Sequence, residues 1–335
     1  MKNKIVAGLL GVAVSVALLV WVLKDVSFTE VLAQAREAHV GYLLLAITVT
    51  TSTFVIRIFR WRLILQDDHG RPLDRLPMWH AIAIGFMANN LLPFRAGELL
   101  RAFAINRLAP VKVSSALSSL VVERLFDGIA IVILLFVGLM TAGIPASTEI
   151  AGIRVADVGT RTALVLGGLL VVCGIALALP ELARKIVRTL VPARGLAERL
   201  VAFYDGIRGG LGALASPGKI IAVLAWSLGM WTINASSFFL GYHAFDIAVG
   251  FGGALLQQSI LILGIAAPSS PGYVGVFEGA IKAVLSLFGV DPARAVAFAL
   301  TYHFTTFIPI TALGLFSLVR TGMSLKTAQE TARST

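Results

Sequence analysis

The sequence predicts an all-α, polytopic integral membrane protein, and its composition and its apolar runs carry that prediction. Of its 335 residues, 57% are hydrophobic and only 14% are charged, and the mean hydropathy is +0.88. Soluble domains carry about 25% charged residues. Apolar runs of about 20 residues, the length that an α-helix needs to cross the hydrocarbon core, recur along the chain. We therefore expect a bundle of transmembrane helices.

Six apolar runs have the length of a full span. They lie at residues 5–23, 40–57, 125–143, 162–180, 220–244 and 296–319. The first run is longer than the roughly 7–15 apolar residues of a signal-peptide core and has no small-residue cleavage site, so we expect it to be retained.

The basic residues predict the orientation of the chain. The net charge is +10 and the isoelectric point is near 10.2. Such a charge can indicate nucleic-acid binding, but here the cations cluster beside apolar runs, as the positive-inside rule describes. We therefore expect no nucleic-acid partner and a multi-pass protein of the cytoplasmic (inner) membrane with both termini in the cytoplasm.

Two further apolar runs are short and are broken by proline. Residues 78–92 stop at Pro93, and residues 252–267 stop at Pro268 and Pro271. Full crossing of the first run would leave several arginines outside, against the positive-inside bias. We expect two re-entrant helices that enter from opposite faces and meet near mid-depth, as in inverted-repeat transporters. Eight full, strongly tilted spans are the alternative.

The domain organisation follows from these two segments. Residues 1–335 are predicted to form a single transmembrane domain, with residues 40–143 and 220–319 as possible repeat halves.

Charged residues near the first broken segment form a candidate site. Glu123 and Asp127 share a helix face, and Arg124 lies three residues before Asp127, within pairing reach. They belong to a stretch, 113–143, that we expect to be divided at ERLFD because it exceeds one span. These residues either bind a cation or relay a proton, or they neutralise nearby arginines. Since unpaired ions in a membrane are costly, we expect Glu98, Glu123 and Asp127 to pair with arginines in one buried network.

The same region suits an anionic ligand. Arg95, Arg101 and Arg124 lie near the helix that restarts after Pro93, where guanidinium groups and free amides favour phosphate. The predicted substrate is a lipid with an anionic phosphate head and an acyl or prenyl tail. Arg95→Ala should abolish its translocation, and Arg95→Lys should restore it only in part.

For the other polar residues, both a structural and a functional role are considered. Arg57 and Arg60, beside Trp61, are expected to anchor the chain at the headgroup level, or else to capture an anionic headgroup. Glu278 and Lys282 are an i, i+4 pair with either a structural or a binding role. His303 is expected to hydrogen-bond Thr305 or Thr306, or else to titrate during transport.

The sequence contains no motif typical of a metal site, a disulfide, a hydrolase or a nucleotide-binding site. The five histidines are scattered, the single cysteine offers no disulfide, and no GxSxG, Walker or dinucleotide motif is present. We expect no metal, no cofactor and no enzyme activity.

Four motifs occur in order along nearly the whole chain: RIFRWR (57–62), NNLLPFRAGELLR (89–101), VVERLFD (121–127) and PSSPGYVGVFEG (268–279). Together they resemble the flippase-like, lysylphosphatidylglycerol synthase transmembrane-domain family. The resemblance implies an all-α membrane protein that moves lipids or lipid-linked headgroups between leaflets. Because little sequence follows the last predicted span, we expect no soluble synthase domain.

The sequence therefore predicts a lipid flippase for a phospholipid or a polyprenyl-phosphate-linked substrate, either passive or ion-coupled. A membrane lipid transferase or glycosyltransferase that uses Glu98 or Asp127 as base is one alternative. An accessory subunit of a lipid-synthesis complex is another. Possible partners are a second copy of the chain or a lipid-synthesis enzyme.

Overall fold

The computed structural model describes most of the chain, in segments. The described residues are 15–24, 26–92, 96–145, 149–150, 153–154, 164, 168, 179–193, 195–198, 200–202, 204–205, 216–266 and 270–323. The predicted span 5–23 is described only from residue 15, and most of the predicted span 162–180 lies outside these segments.

The protein is all-α, as predicted. Within the described segments, the numbered helices are α1 (residues 15–23), α2 (Phe28–Glu37), α3 (Val40–Ile64), α4 (Arg75–Leu91), α5 (Gly97–Leu108), α6 (Val113–Thr141), α7 (Pro180–Leu190), α8 (Pro217–Ala244), α9 (Phe251–Ala266), α10 (Val276–Ser286) and α11 (Pro292–Arg320). Residues 195–198, 200–202 and 204–205 are also helical. A single 3-10 turn at Pro271–Tyr273 precedes α10. Two-residue strands β1 (Glu149–Ile150) and β2 (Ile153–Arg154) pair antiparallel.

Three helices within the described segments are long and apolar enough to cross a membrane. They are α3, α8 and α11, and they coincide with the predicted spans 40–57, 220–244 and 296–319. The predicted division of residues 113–143 is wrong, because α6 runs unbroken from Val113 to Thr141. Its charged residues do not interrupt the helix, since other helices supply their partners.

Both broken segments form helical hairpins. α4 and α5 pack antiparallel so closely that a Cβ on Gly97 would overlap the carbonyl oxygen of Gly85. α9 and α10 form the second hairpin, in which the Gln257 amide donates to the carbonyl of Ala280 over 3.3 Å. The second turn uses Gly272 and Gly275 at φ 69° and 86°, a region that glycine occupies without strain.

The tips of the hairpins meet inside the bundle. A Cβ on Gly272 would lie 3.4 Å from the carbonyl oxygen of Asn90, at the end of α4. The predicted meeting of the broken segments is therefore present, while Pro93 itself lies outside the described residues. That they meet at mid-bilayer stays a prediction.

The packing of the helices follows the same order in both parts of the chain. α3 packs along α8, α4 packs along α11, and α9 packs along α6. Exchanging α3, α4, α5 and α6 for α8, α9, α10 and α11 leaves this set of contacts unchanged. The correspondence supports repeat halves at 40–143 and 220–319, which we retain as a proposal.

Candidate functional site

A buried ion network joins α3, α5 and α6. Arg60 of α3 pairs with Glu123 over 3.0 Å and with Asp127, both on α6. Arg101 of α5 binds the two carboxylate oxygens of Glu123 over 2.9 and 3.0 Å. Arg60, Arg101, Glu123 and Asp127 are all buried. Helix geometry explains the pairing, because positions i and i+4 of α6 point to the same side.

The network extends towards a more exposed edge. Arg124 pairs with Glu98 over 2.8 Å and with Asp127 over 3.3 Å, and the Arg124 and Glu98 side chains are about one-third exposed. The predicted network of Glu98, Glu123 and Asp127 with arginines is therefore formed by Arg101 and Arg124. Arg95, the third predicted partner, lies outside the described residues.

Neutral side chains complete the network. The indole N–H of Trp231 donates to Asp127 over 2.9 Å, and Arg60 also donates to the Ser227 hydroxyl over 2.9 Å. The Arg101 guanidinium lies 3.8 Å from the ring centroid of Trp61, a favourable cation–π arrangement. Since buried ions are tolerated where their polar atoms find partners, these contacts hold α3, α5 and α6 in register.

The charges in this network balance. Arg60, Arg101 and Arg124 face Glu98, Glu123 and Asp127, three cations against three anions among the described residues. The guanidinium groups of Arg101 and Arg124 are thus paired with carboxylates of the protein. The expectation that they present excess positive charge to a ligand is not supported by their contacts.

Arg57, one turn before Arg60 on α3, is the exception. Its side chain is buried, with 5% of the residue exposed, and its Nε and one terminal nitrogen, Nη1, have no hydrogen-bond partner among the described residues. The guanidinium lies between two aromatic rings, 4.6 Å from the centroid of Phe86 and 5.5 Å from that of Trp231. Asp127 and Glu123 act favourably on Arg57 through space, but no carboxylate within the described segments makes an ion pair with it. A buried cation without a direct ion pair is costly.

Arg57 and Arg60 therefore do not anchor the chain at the membrane surface. Both are buried, and the neighbouring Trp61 is fully buried with its N–H bonded to the Ser119 hydroxyl. The anchor interpretation is wrong for a physical reason. Arg57, Arg60 and Trp61 lie on the inner side of α3, which packs against α4, α6 and α8.

A cavity opens in front of Arg57. It has a volume of about 170 Å³ and lies between α3, α4, α8, α9 and α11 and the second hairpin turn. Asn90, Asn234 and Gln258 line it together with Arg57. The side-chain amides of Asn90 and Asn234 each donate one hydrogen bond within the protein, to Thr311 and to the Met230 carbonyl, and each NH2 group has a second N–H. One cation and three amides around one cavity can bind an anionic group.

A second, more apolar cavity adjoins the first. Its volume is about 450 Å³, and its lining includes Leu19, Val31 and Phe304. Asn90, His303 and Phe307 line both cavities. The two cavities therefore share a wall formed by α4 and α11.

His303 belongs to a buried acid–base pair. Its Nδ1 lies 2.6 Å from Oε1 of Glu278, and its ring stacks on Phe277 with the centroids 4.1 Å apart. The predicted hydrogen bond from the His303 side chain to Thr305 or Thr306 is wrong. Those threonines bond backbone carbonyls one turn earlier, as hydroxyls inside helices commonly do.

The predicted pairing of Glu278 with Lys282 is also wrong. The Lys282 ammonium donates to the carbonyls of Trp21 and Val22 at the end of α1, over 3.2 and 2.7 Å. Glu278 faces inward, where its second oxygen accepts from the Gly275 amide over 2.7 Å. Spacing on one helix allowed the pair, but α1 and α11 offered closer partners.

No group of three or more metal-ligating side chains is found within the described segments. The sequence interpretation missed Arg60 as the centre of the network and Arg57 as the cation without a partner. The RIFRWR motif contained a signal for both, since Arg57 and Arg60 lie three residues apart and so share a helix face.

The fold and the site define a class: an all-α polytopic membrane protein with two meeting helical hairpins and a buried network of charged residues. The chain belongs to the family described as the lysylphosphatidylglycerol synthase TM region, whose family model matches residues 8–314.

Three relatives show how far the likeness extends. The chain is 28% identical to glycosyltransferase AglD of Haloferax volcanii, over 97% of this chain and 56% of that protein. Two UPF0104 membrane proteins of Methanothermobacter thermautotrophicus are 20% and 24% identical to it, over 97% and 91% of this chain and 95% and 90% of their own lengths. The chain thus spans little more than half of the first relative. No solved structure matches the chain.

Proposed function

We propose that this protein moves the anionic head of a phosphate-headed lipid, a phospholipid or a polyprenyl-phosphate-linked lipid, between the leaflets of the cytoplasmic membrane. The observation that carries the proposal is Arg57, a buried guanidinium that makes no ion pair within the described part of the chain and lines a cavity together with amides. A guanidinium can bind two phosphate oxygens at once, which suits it to this head.

The cavities fit the two chemical parts of such a lipid. The head can bind beside Arg57, while hydrocarbon next to it can contact the apolar cavity that shares Asn90 and His303. A long tail can stay in the bilayer during crossing, so only the head needs a polar route. The meeting of the hairpin tips at these cavities supports transport, because irregular backbone at membrane depth is tolerated where it lines a cavity.

The transferase alternative has less support. It assigned the role of base to Glu98 or Asp127, but Glu98 pairs with Arg124, and Asp127 accepts from Arg60, Arg124 and Trp231. A carboxylate bound to several donors is a poor base, because the charged form is stabilised.

Arg57→Ala should abolish translocation and leave the folded protein intact. The reason is that Arg57 makes no ion pair among the residues that the structure describes, so the fold loses only its contacts with the rings of Phe86 and Trp231. Purified protein is reconstituted in vesicles with tail-labelled phosphatidylglycerol or a labelled polyprenyl phosphate in separate samples, and outer-leaflet label is bleached by an impermeant reductant. Arg57→Lys should restore activity partly, since it keeps the charge and loses the planar fork.

Arg75→Ala is the matched control, because Arg75 is exposed at the start of α4 and stacks on Phe59. It removes one positive charge without touching the cavity and should leave translocation unchanged. Full activity in Arg57→Ala, with that variant eluting as a folded protein, would reject the assignment. Absence of lipid movement in the unaltered protein with every lipid would reject the function itself.

The expected role of Arg95 remains a separate prediction. Arg95→Ala, measured in the same vesicles, should also abolish translocation if Arg95 belongs to the route of the head. If Arg57→Ala loses translocation and Arg95→Ala keeps it, the anion site involves the cavity and not Arg95.

A further inference from the structure

The pair Glu278 and His303 is a second ionisable unit inside the bundle, separate from the network around Arg60. Both residues are buried, and no other charged side chain within the described residues makes an ion pair with them. Nevertheless His303 lines both cavities, including the one that holds Arg57. The arginines of the network around Arg60 are already balanced by its own three carboxylates. Glu278 and His303 are therefore not needed to neutralise them.

The ionisable groups that face His303 can be named for each neighbouring element. Glu278 comes from α10, Arg57 lines the shared cavity from α3, Tyr273 comes from the second hairpin turn, and Tyr302 lies beside it on α11. α4 and α9 contribute the amides Asn90 and Gln258, and α2 contributes apolar residues. Glu278 and Arg57 are therefore the charged groups to consider.

The pair can hold one proton or two. With one shared proton, either as neutral groups or as an ion pair, Glu278 and His303 together carry no net charge. With two protons the pair carries +1, which is unfavourable because His303 lines the same cavity as the Arg57 cation, in a medium of low dielectric constant. An anionic head bound at Arg57 reverses that balance, because it offers the extra positive charge an opposite charge nearby.

We propose that Glu278 and His303 form a proton-binding site that takes up a proton when an anionic lipid head binds at Arg57. This inference rests on the proposed function and adds a coupling ion to it. Because such linkage is reciprocal, protonation also strengthens binding of the head. The protein then carries the head together with a proton, towards the alkaline side of the membrane.

The position of Glu278 offers a route from protonation to movement. Its Oε2 accepts from the amide of Gly275, at the turn that begins α10. A proton on that carboxylate weakens its acceptance of the Gly275 amide, since a neutral acid accepts less strongly than a carboxylate. The second hairpin tip, which contacts Asn90, is therefore sensitive to the charge state of this pair.

Proton uptake on lipid binding tests the proposal without requiring transport. Short-chain phosphatidylglycerol is added to protein in weakly buffered detergent with a pH indicator, and protons taken up per bound lipid are measured. This phosphodiester has a fixed single charge and does not itself titrate near neutral pH. We expect net uptake by the unaltered protein and loss of uptake in Glu278→Gln and in His303→Gln.

His243→Gln is the control, because His243 is an exposed histidine at the end of α8 and stacks on Phe239 and Tyr42. It should keep the uptake. Lipid binding by the unaltered protein without proton uptake would overturn the inference while leaving the proposed function standing. So would undiminished uptake in both variants of the pair. Failure of the unaltered protein to bind any phosphate-headed lipid would overturn both.

Vesicles give a second measure of the same site. A pH gradient across the bilayer should enrich labelled phosphatidylglycerol in the leaflet that faces the alkaline side, and Glu278→Gln should lose this enrichment. If the unaltered protein moves the lipid but the pH gradient does not change its distribution between the leaflets, proton coupling is contradicted. That result would still agree with a passive flippase.

Discussion

Replacing Glu123 by Ala should destabilise the folded protein by about 3–5 kcal/mol, the typical cost of removing one side of a buried ion pair. Glu123 accepts two hydrogen bonds from Arg101 and pairs with Arg60. Its loss leaves two buried guanidinium groups with fewer acceptors and a gap at the crossing of α3, α5 and α6. Thermal unfolding in detergent, followed by the fraction that stays monodisperse after heating, measures the effect.

The control for this prediction is an exposed pair of the same chemistry. Arg188 of α7 pairs with Glu198 over 3.0 Å, and more than half of each side chain is exposed. Glu198→Ala should change stability by about 1 kcal/mol or less, as exposed pairs usually do. Equal shifts in the two variants would show that the network contributes no more than a surface contact.

Gly97→Ala should disrupt the first hairpin. A Cβ at Gly97 would overlap the carbonyl oxygen of Gly85 and crowd the side-chain amide of Asn89, which accepts from the Gly97 amide over 2.9 Å. Backbone atoms cannot move aside as a side-chain end can, so we expect a loss of at least the roughly 1–3 kcal/mol of an overpacked core. Separation of α4 from α5 would also displace Arg101 and Glu98 from α6.

Gly128→Ala on α6 is the matched substitution, because nothing lies within 4 Å of a Cβ at that position. Replacing an exposed helical glycine should stabilise the helix by up to about 1 kcal/mol. Opposite signs for the two variants in the same unfolding assay are the expected result. A Gly97→Ala protein as stable as the unaltered one would show that the hairpin is packed less closely.

The sequence by itself determined the class of the protein and the kind of chemistry at its centre. Long apolar runs require helices, since backbone groups in hydrocarbon must be bonded within their own segment. The prolines and glycines after residues 92 and 267 predicted the hairpins for the same reason. The charges of ERLFD predicted a paired network, because isolated ions at that depth are too costly. These inferences depend on local sequence and on the properties of the solvent.

Only the tertiary structure decided which partner each charged residue has. Arg60 of α3 finds its carboxylate partners on α6, a different helix. Glu278 pairs with His303 of α11 and not with Lys282 on its own helix. Helical spacing lists possible neighbours within one helix, but contacts between helices distant in sequence depend on how the helices pack. Arg57 is the clearest case: its sequence context resembles that of Arg60, yet one is paired and the other faces a cavity.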